Sequence, residues 1–218
     1  MFHKKNNIHS FMLILGLIFL TACQKSPSAS QIALSYYDLI IKQNTSDIIS
    51  LGMPNDTAEA ITSHIKENLH TQIAEKLCMN QRITIDDRKI TQVEEAYLTS
   101  LQKLSRTASH QKAGENYLVT LSTTYIDYAA IDELATEAAL KEIDISQFTD
   151  EVLYLSNLTD AYISHLITGY QNAEPSTLSN TETFTFTSQN GLWLPADYDS
   201  FIAGLCELVS TTNKDYNS

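Results

Sequence analysis

The stretch that decides the fold runs from Tyr117 to Tyr128 and reads YLVTLSTTYIDY. β-Branched and aromatic residues dominate it, and such residues favour a pleated, half-buried strand. Successive side chains of a strand point to opposite faces. One face would carry Leu118, Thr120, Ser122, Thr124 and Ile126, and the other Tyr117, Val119, Leu121, Thr123 and Tyr125. We therefore predict a strand over residues 117–128.

A second strand signal lies near the C-terminus and returns on itself. Residues 181–188 alternate threonine with Phe184 and Phe186, which is typical of a strand with one buried face. Asn190-Gly191 then favours a two-residue β-turn. Residues 192–194, which read LWL, are expected to form the partner strand of a hairpin.

Apolar residues at intervals of three and four predict helices along most of the remaining chain. The expected helices cover residues 30–43, 56–79, 91–108, 131–143 and 148–170, with a last helix after Asp197. Ser30 and Asp197 are expected to cap the first and last of them. Residues 44–54 are expected to be a connector, residues 82–90 a short strand or extended segment, and residues 110–116 a turn. Three strands and five or six helices predict a helix-rich α+β fold, in which the helices pack on a small antiparallel sheet.

The N-terminal segment has the organisation of an export signal. Lys4 and Lys5 precede an apolar run over residues 11–22. Because roughly 20 helical residues are needed to cross a bilayer, this run suits a signal peptide rather than a membrane span. Residues 20–23, Leu-Thr-Ala-Cys, resemble the lipobox of bacterial lipoproteins, in which the cysteine receives a diacylglycerol. The alternative is an ordinary secretory peptide in which Cys23 is incidental.

These signals predict the domain organisation. Residues 1–22 would be the lipoprotein signal peptide, and residues 23–30 the lipidated Cys23 with a short polar tether. Residues 31–210 would form a single α+β domain, with two subdomains divided near residue 112 as the alternative. Residues 211–218 would be a polar tail.

The net charge of the chain limits the classes of partner that it can bind. The 218-residue chain has a net charge of −12, and loss of residues 1–22 removes two lysines and no acid, so the mature chain carries −14. Such a chain is unsuited to nucleic acid, whose phosphates need basic partners. Electrostatic attraction to a membrane is disfavoured too, so the lipid on Cys23 would hold the protein there. We predict attachment to the extracytoplasmic face of the cell membrane, or to the outer membrane if the host is Gram-negative.

Two further cysteines, Cys78 and Cys206, are candidates for a disulfide, because exported proteins meet an oxidising environment. The bond would close a long loop and contribute up to about 4–5 kcal/mol in the chain-entropy model. The alternative is two buried thiols, since cysteine behaves as a small hydrophobe.

The mature sequence resembles a group of Gram-positive surface lipoproteins in three segments. These are residues 33–42 (ALSYYDLIIK), the strand 117–127 leading into a helix, and residues 190–193 (NGLW) followed by an acid-capped helix. Many such proteins are similar to the cystatin/NTF2-like superfamily, so the resemblance implies helices wrapped around a curved antiparallel sheet. It implies no catalytic residues.

The candidate reactive groups are few. His64, Glu67 and His70 follow one another at intervals of three, but successive steps of three drift around a helix and only neighbouring pairs share a face. No HExxH, GxSxG or phosphate-binding glycine motif occurs. We therefore predict no metal and no cofactor, and treat the three residues as a solvated polar face.

Tyrosine is abundant, with eleven residues in the chain. Aromatic side chains could line a ligand groove, and the candidates are Tyr36, Tyr37, Tyr125, Tyr128 and Trp193. The alternative is that these rings fill the core between helices and sheet, with polar atoms at the rim.

We interpret the sequence as that of a lipid-anchored extracytoplasmic protein that binds a protein or small-molecule partner at the cell envelope and is not an enzyme. Two alternatives remain. One is an enzyme or accessory protein acting on cell-surface material, and the other is a structural or immunity-type lipoprotein.

Overall fold

The structure, a computed structural model, describes residues 27–78, 83–189 and 191–210 and confirms the helix-rich α+β fold. The helices are α1 (Ala29–Ile40), α2 (Ser46–Ser50), α3 (Asn55–Leu77), α4 (Asp87–Gln102), α5 (Tyr128–Glu142), α6 (Glu151–Asn172) and α7 (Tyr198–Leu208), with a 3₁₀ turn at Ile145–Gln147. The strands are β1 (Arg106–Ala113), β2 (Asn116–Thr124), β3 (Ser179–Gln189) and β4 (Leu192–Pro195). They form an antiparallel sheet in the order β1-β2-β3-β4. The predicted signal peptide, Cys23 and the polar tail lie outside the described residues.

Strand β1 was not expected from the sequence. Residues 106–108 were assigned to the end of a helix and residues 110–116 to a turn, whereas β1 pairs with β2 along its whole length, from Arg106 opposite Thr123 to Ala113 opposite Asn116. Most of its side chains are exposed, and it occupies an edge of the sheet. Its pairing with β2 depends on backbone hydrogen bonds. These bonds do not require alternating apolar side chains, so the sequence of β1 shows no strand pattern. Gly114, with φ of +64°, allows the tight turn between the two strands.

Other boundaries also differ from the prediction. The strand predicted over residues 117–128 ends at Thr124, and Tyr128 begins α5. Helix α4 begins at Asp87 because Asp86 accepts a 2.9 Å hydrogen bond from the backbone N–H of Arg88, so the expected strand over residues 82–90 does not form in its described part. The connector over residues 44–54 contains the short helix α2. Helix α1 is capped by Ser28 rather than Ser30, because Ser28 and Gln31 form a capping box.

The chain divides into two compact units. The sheet unit contains the described residues up to Thr62, residues 106–123 and residues 180–208. The helical unit contains the described parts of residues 63–105, residues 124–179 and residues 209–210. Both units contain chain from before and after residue 112, and the domain organisation given above stays a prediction.

The core of the sheet unit is built around Phe201 of α7. Its ring packs edge-on against those of Phe184 and Phe186 on β3, with centroids 4.8 and 5.6 Å away, and against Tyr36 of α1 at 6.1 Å. Helix α1 contacts β1 and β4. This arrangement explains the alternation of residues 181–188, since the phenylalanines point into the core while most of the threonines are exposed.

The helical unit has its own apolar core, in which α6 packs against both α4 and α5. Its buried members are Leu77, Ile90, Val93, Ala96, Ala135, Ile163, Leu166 and Tyr170. Lys103, which caps α4, donates from Nζ to the carbonyls of Gln171 and Ala173 at 2.7 and 2.9 Å. The ammonium thereby satisfies two carbonyls at the C-terminal end of α6, where a cation also complements the helix dipole.

Gly204 in α7 offers a test of this packing, because a Cβ there would lie 2.6 Å from Cε1 of Phe184. Alanine normally stabilises a helix by about 0.5–1 kcal/mol over glycine. Overpacking a core costs about 1–3 kcal/mol. We expect Gly204→Ala to lower the free energy of unfolding of the mature chain in urea, despite the better helix propensity. Ala203→Gly on the exposed side of α7 reports the propensity effect alone, and a stabilised Gly204→Ala protein would contradict this packing.

Candidate functional site

Two of the five residues predicted to line a groove are core residues. Tyr36 is 2% and Tyr37 0% exposed. The hydroxyl of Tyr37 lies 2.8 Å from Oγ1 of Thr123, and that of Tyr36 lies 3.4 Å from the hydroxyl of Tyr198. Burial raises the pKa of Tyr37 to about 12. Both side chains therefore fill the core of the sheet unit rather than line an open groove.

Tyr125 and Tyr128 lie in the helical unit and are partly buried. Tyr128 packs against the rings of Tyr97 and Tyr170, with centroids 4.9 and 5.7 Å away, and its hydroxyl lies 2.9 Å from Oγ of Ser100. Tyr128 thus completes a group of three packed tyrosine rings, and its hydroxyl has a hydrogen-bonding contact. Trp193 belongs to the sheet unit, so neither unit by itself holds all five predicted groove residues.

Trp193 takes part in a different aromatic grouping, which we call the aromatic cluster: His110, Tyr117 and Trp193. The Tyr117 ring packs edge-on against Trp193 at 4.5 Å and against His110 at 5.0 Å. His110 is exposed, and Tyr117 and Trp193 are partly buried. His110 Nδ1 lies 2.9 Å from Oγ of Ser30, in the first turn of α1.

The strand registers place the aromatic cluster on the face of the sheet that carries the core. His110 lies opposite the buried Val119 on the neighbouring strand. Trp193 lies opposite Ser188, two positions along β3 from the buried Phe186. Sequence reasoning identified only Trp193, because the pairing of β1 with β2 was needed to bring His110 beside Tyr117.

A buried ion pair joins α1 to β1. Asp38 has a side chain that is 2% exposed and accepts a hydrogen bond from Nη2 of Arg106. Desolvation raises the pKa of Asp38, and the guanidinium opposes that rise. The guanidinium also lies 5.9 Å from the ring centroid of Tyr37, in a cation–π arrangement. The pair rests on one oxygen and one nitrogen, since Oδ1 of Asp38 and Nε of Arg106 are buried and have no hydrogen-bond partner among the described residues. Its location within the packing of α1 indicates a structural role.

The group His64, Glu67 and His70 does not converge on α3. His70 instead contacts two carboxylates of α4, with Nδ1 3.0 Å from Oε2 of Glu94 and Nε2 3.1 Å from Oδ1 of Asp87. The amide of Asn68 donates to Nε2 of His64 at 3.1 Å. Two carboxylate acceptors require both ring nitrogens of His70 to carry a proton, which favours the imidazolium. The hydrogen bonds to Glu94 and Asp87 accordingly raise the pKa of His70.

The two described cysteines lie in different units. Cys78 follows α3 in the helical unit and is partly buried, whereas Cys206 lies on α7 in the sheet unit and is exposed. Both are thiols in this structure. The disulfide between them stays a prediction, which comparison of the intact mass with and without a reductant would decide.

Large apolar side chains are exposed at the connection between α5 and α6. We call this group the hairpin patch and define it as Leu140, Ile145, Val152 and Leu153, which are 55%, 65%, 51% and 55% exposed. Beside it, the rings of Phe148 and Tyr154 pack edge-on at 5.7 Å. The helices predicted over residues 131–143 and 148–170 include Leu140, Val152 and Leu153, and Ile145 lies between them. Apolar residues at helical spacing look the same in the sequence whether they pack against a neighbouring helix or lie beyond its end. The sequence pattern therefore did not identify these side chains as exposed.

Two further observations bound the chemistry of the described chain. Within residues 27–78, 83–189 and 191–210, no helix combines the length and the apolar character needed to span a bilayer. The same ranges contain no set of three or more His, Cys, Asp or Glu side chains placed to hold a metal ion.

The ion pairs of His70 predict a pH dependence of stability. A histidine whose pKa is raised on folding contributes stability that is complete below its unfolded value of about 6.5 and is lost as the pH rises through the folded-state pKa. We expect His70→Gln to lower the free energy of unfolding at pH 5.5–6, by less than about 1 kcal/mol because the pairs are partly exposed, and to approach the wild type at alkaline pH.

Urea unfolding of both proteins between pH 5.5 and pH 9 measures this difference. His64→Gln serves as the matched control for loss of a histidine from the same helix. A difference between wild type and His70→Gln that stays constant with pH would contradict the assignment.

No family model matches the chain, and no curated protein matches it. Among solved structures, it is similar to the crystal structure of ycdA from Bacillus subtilis, which is described as a candidate lipoprotein. The two share 12% sequence identity with a TM-score of 0.58, and the match covers 84% of this chain and 56% of that one. The chain therefore spans little more than half the length of that structure. At this identity the likeness shows the fold alone.

Proposed function

We propose that this protein is a lipid-anchored extracytoplasmic binding module, without catalysis of its own, that holds a protein partner at the cell envelope. The observation that carries the proposal is the hairpin patch. Large apolar side chains exposed together are uncommon on soluble monomers and mark interaction surfaces. Here four of them lie between the last turn of α5 and the first turn of α6.

The charges around the hairpin patch indicate the chemistry of the partner. Asp144 and Asp150 lie within this connection. Asp144 accepts one backbone hydrogen bond, from Ser146, and Asp150 accepts two, from Val152 and Leu153, at the start of the next helical turn. The hydrogen bonds from Ser146 lower the pKa of Asp144, so it remains ionised. Capping thus holds two carboxylates beside the apolar side chains. A complementary partner would present an apolar groove bordered by basic residues.

Membrane attachment is supported by the sequence. The Leu-Thr-Ala-Cys motif at residues 20–23 follows a charged start and an apolar run of signal-peptide length. Two acyl chains on Cys23 meet the condition for stable anchoring, whereas one chain binds only marginally. The acidic domain would then remain in water on the extracytoplasmic side, close to the membrane that holds its anchor.

Lipidation is tested on the full chain in its host. We expect mass spectrometry of the processed protein to find an N-terminus at Cys23 with a diacylglycerol thioether on its sulfur. Cys23→Ala should abolish the lipid and move the protein out of the membrane fraction, because the acidic domain lacks an electrostatic means of attachment. An intact leader on cytosolic wild-type protein would refute membrane anchoring.

The hairpin patch is tested with a photo-crosslinking amino acid at Ile145 in the lipid-anchored protein. We expect a discrete crosslinked product that disappears when Leu140 and Leu153 are replaced by serine. The same crosslinker at Leu178, which is 68% exposed and belongs to the same unit, is the matched control. Both leucine substitutions are at exposed positions and should change stability by only about 0.5 kcal/mol each.

Equal crosslinking from Ile145 and Leu178 would contradict a binding role for the hairpin patch. Loss of the product at high salt, with the fold unchanged, would support the basic border expected of the partner.

A further inference from the structure

The aromatic cluster lies beside the start of the folded domain. Ser28 caps α1, Ser30 lies in its first turn, and Oγ of Ser30 is 2.9 Å from Nδ1 of His110. From His110 the ring contacts continue to Tyr117 and then to Trp193, at 5.0 and 4.5 Å. An unbroken series of contacts within the sheet unit therefore connects the first turn of α1 to the indole ring.

The chain between this point and the predicted anchor is short. Four residues lie between Cys23 and Ser28, so the chain takes five steps of at most about 3.6 Å each, and Cys23 is within about 18 Å of Ser28. This limit is less than the thickness of a bilayer core, which is about 30 Å. A lipid on Cys23 would therefore hold the start of α1 close to the headgroup layer.

The residues of the aromatic cluster have the chemistry of that layer. Tryptophan and tyrosine each combine an apolar ring with one polar tip, and both are enriched where membrane meets water. Lys112 lies directly opposite Tyr117 and is exposed. Glu115 in the β1–β2 turn offsets the charge of Lys112. These two charges cancel, so this end of β1 and its turn repels lipid phosphates less than the −14 of the mature chain would suggest.

We infer that the aromatic cluster contacts the bilayer surface that carries the anchor, with Trp193 and Tyr117 in the headgroup layer. This contact would orient the sheet unit on the membrane instead of leaving it to rotate freely on its tether. The inference rests on the proposed lipidation of Cys23 and adds a second point of contact to it.

Trp193 is the single tryptophan of the chain and reports on its own position. The experiment reconstitutes the full, processed, lipidated protein into vesicles of phosphatidylcholine and of brominated phosphatidylcholine, whose bromine atoms quench nearby tryptophan. We expect the brominated lipid to quench the emission of Trp193 and ordinary vesicles to shift its maximum to shorter wavelengths. A Cys23→Ser protein lacking the lipid should show neither change with the same vesicles.

A matched reporter controls for collision of the anchored protein with lipid. Trp193→Phe combined with Thr107→Trp moves the tryptophan to an exposed position of β1 that shares a sheet face with Ser122, on the side away from the core. We expect this reporter to remain unquenched. Tyr117→Ser should weaken the quenching of Trp193, while circular dichroism confirms an unchanged fold.

The two proposals fail in different ways. If the protein does not float with the vesicles, lipid anchoring fails and the inference fails with it. If the protein floats but Trp193 is not quenched, or the Thr107→Trp reporter is quenched equally, membrane contact by the aromatic cluster is overturned and anchoring stands.

Discussion

The sheet unit depends on the buried ion pair between Asp38 of α1 and Arg106 of β1. Removing one partner of such a pair leaves an uncompensated charge and typically costs about 3–5 kcal/mol. Arg106 lies opposite Thr123, whose hydroxyl contacts that of Tyr37, and its guanidinium lies over the Tyr37 ring. The backbone carbonyl of Asp38 also accepts from the N–H groups of Lys42 and Asn44, which ends the helix. The ion pair thus joins α1 to β1, an edge strand that has little apolar surface of its own.

Because α1 is held in this way, its first turn is held as well, and that turn is where the predicted tether meets the domain. The hydrogen-bonding contact of Ser30 with His110 joins the same helix to the aromatic cluster. The core contacts of Tyr36 and the contact of Ser30 with His110 are therefore made by the same helix. A lipid on Cys23 would act on a rigid element and not on a loose end, so an anchor could favour one orientation of this unit. The buried tyrosines of α1 accordingly serve the proposed function indirectly, through the rigidity of the helix that they pack.

The helical unit uses its charges differently. The N-caps of α4, α5 and α6 are Asp86, Asp127 and Asp150. At the other end of α6, Lys103 donates to the carbonyl of Gln171. His70 connects α3 to α4 through two carboxylates. Some acidic side chains of this unit thus form helix caps and ion pairs. These contacts fix the ends of helices whose apolar faces form the core. The hairpin patch remains outside that core because α5 and α6 pack along their shared face and leave the residues of their connection without cover.

The sequence by itself determined the α+β class, most helices within a few residues, the pairing of β3 with β4 and the capping role of Asp197, which accepts from the N–H of Ser200. Periodicity, turn residues and caps are local properties. The sequence also predicts an export signal that ends at Cys23, because such a signal is a local pattern along the chain. It did not reveal β1, since a polar edge strand is defined by the backbone of its neighbour, or the helix start at Asp86. Only the tertiary structure decided that Tyr36 and Tyr37 are core residues, that Trp193 meets Tyr117 and His110, and that His70 pairs with Glu94. Each of these depends on strand register or on which helices pack together, and such long-range pairings leave no local pattern in the chain.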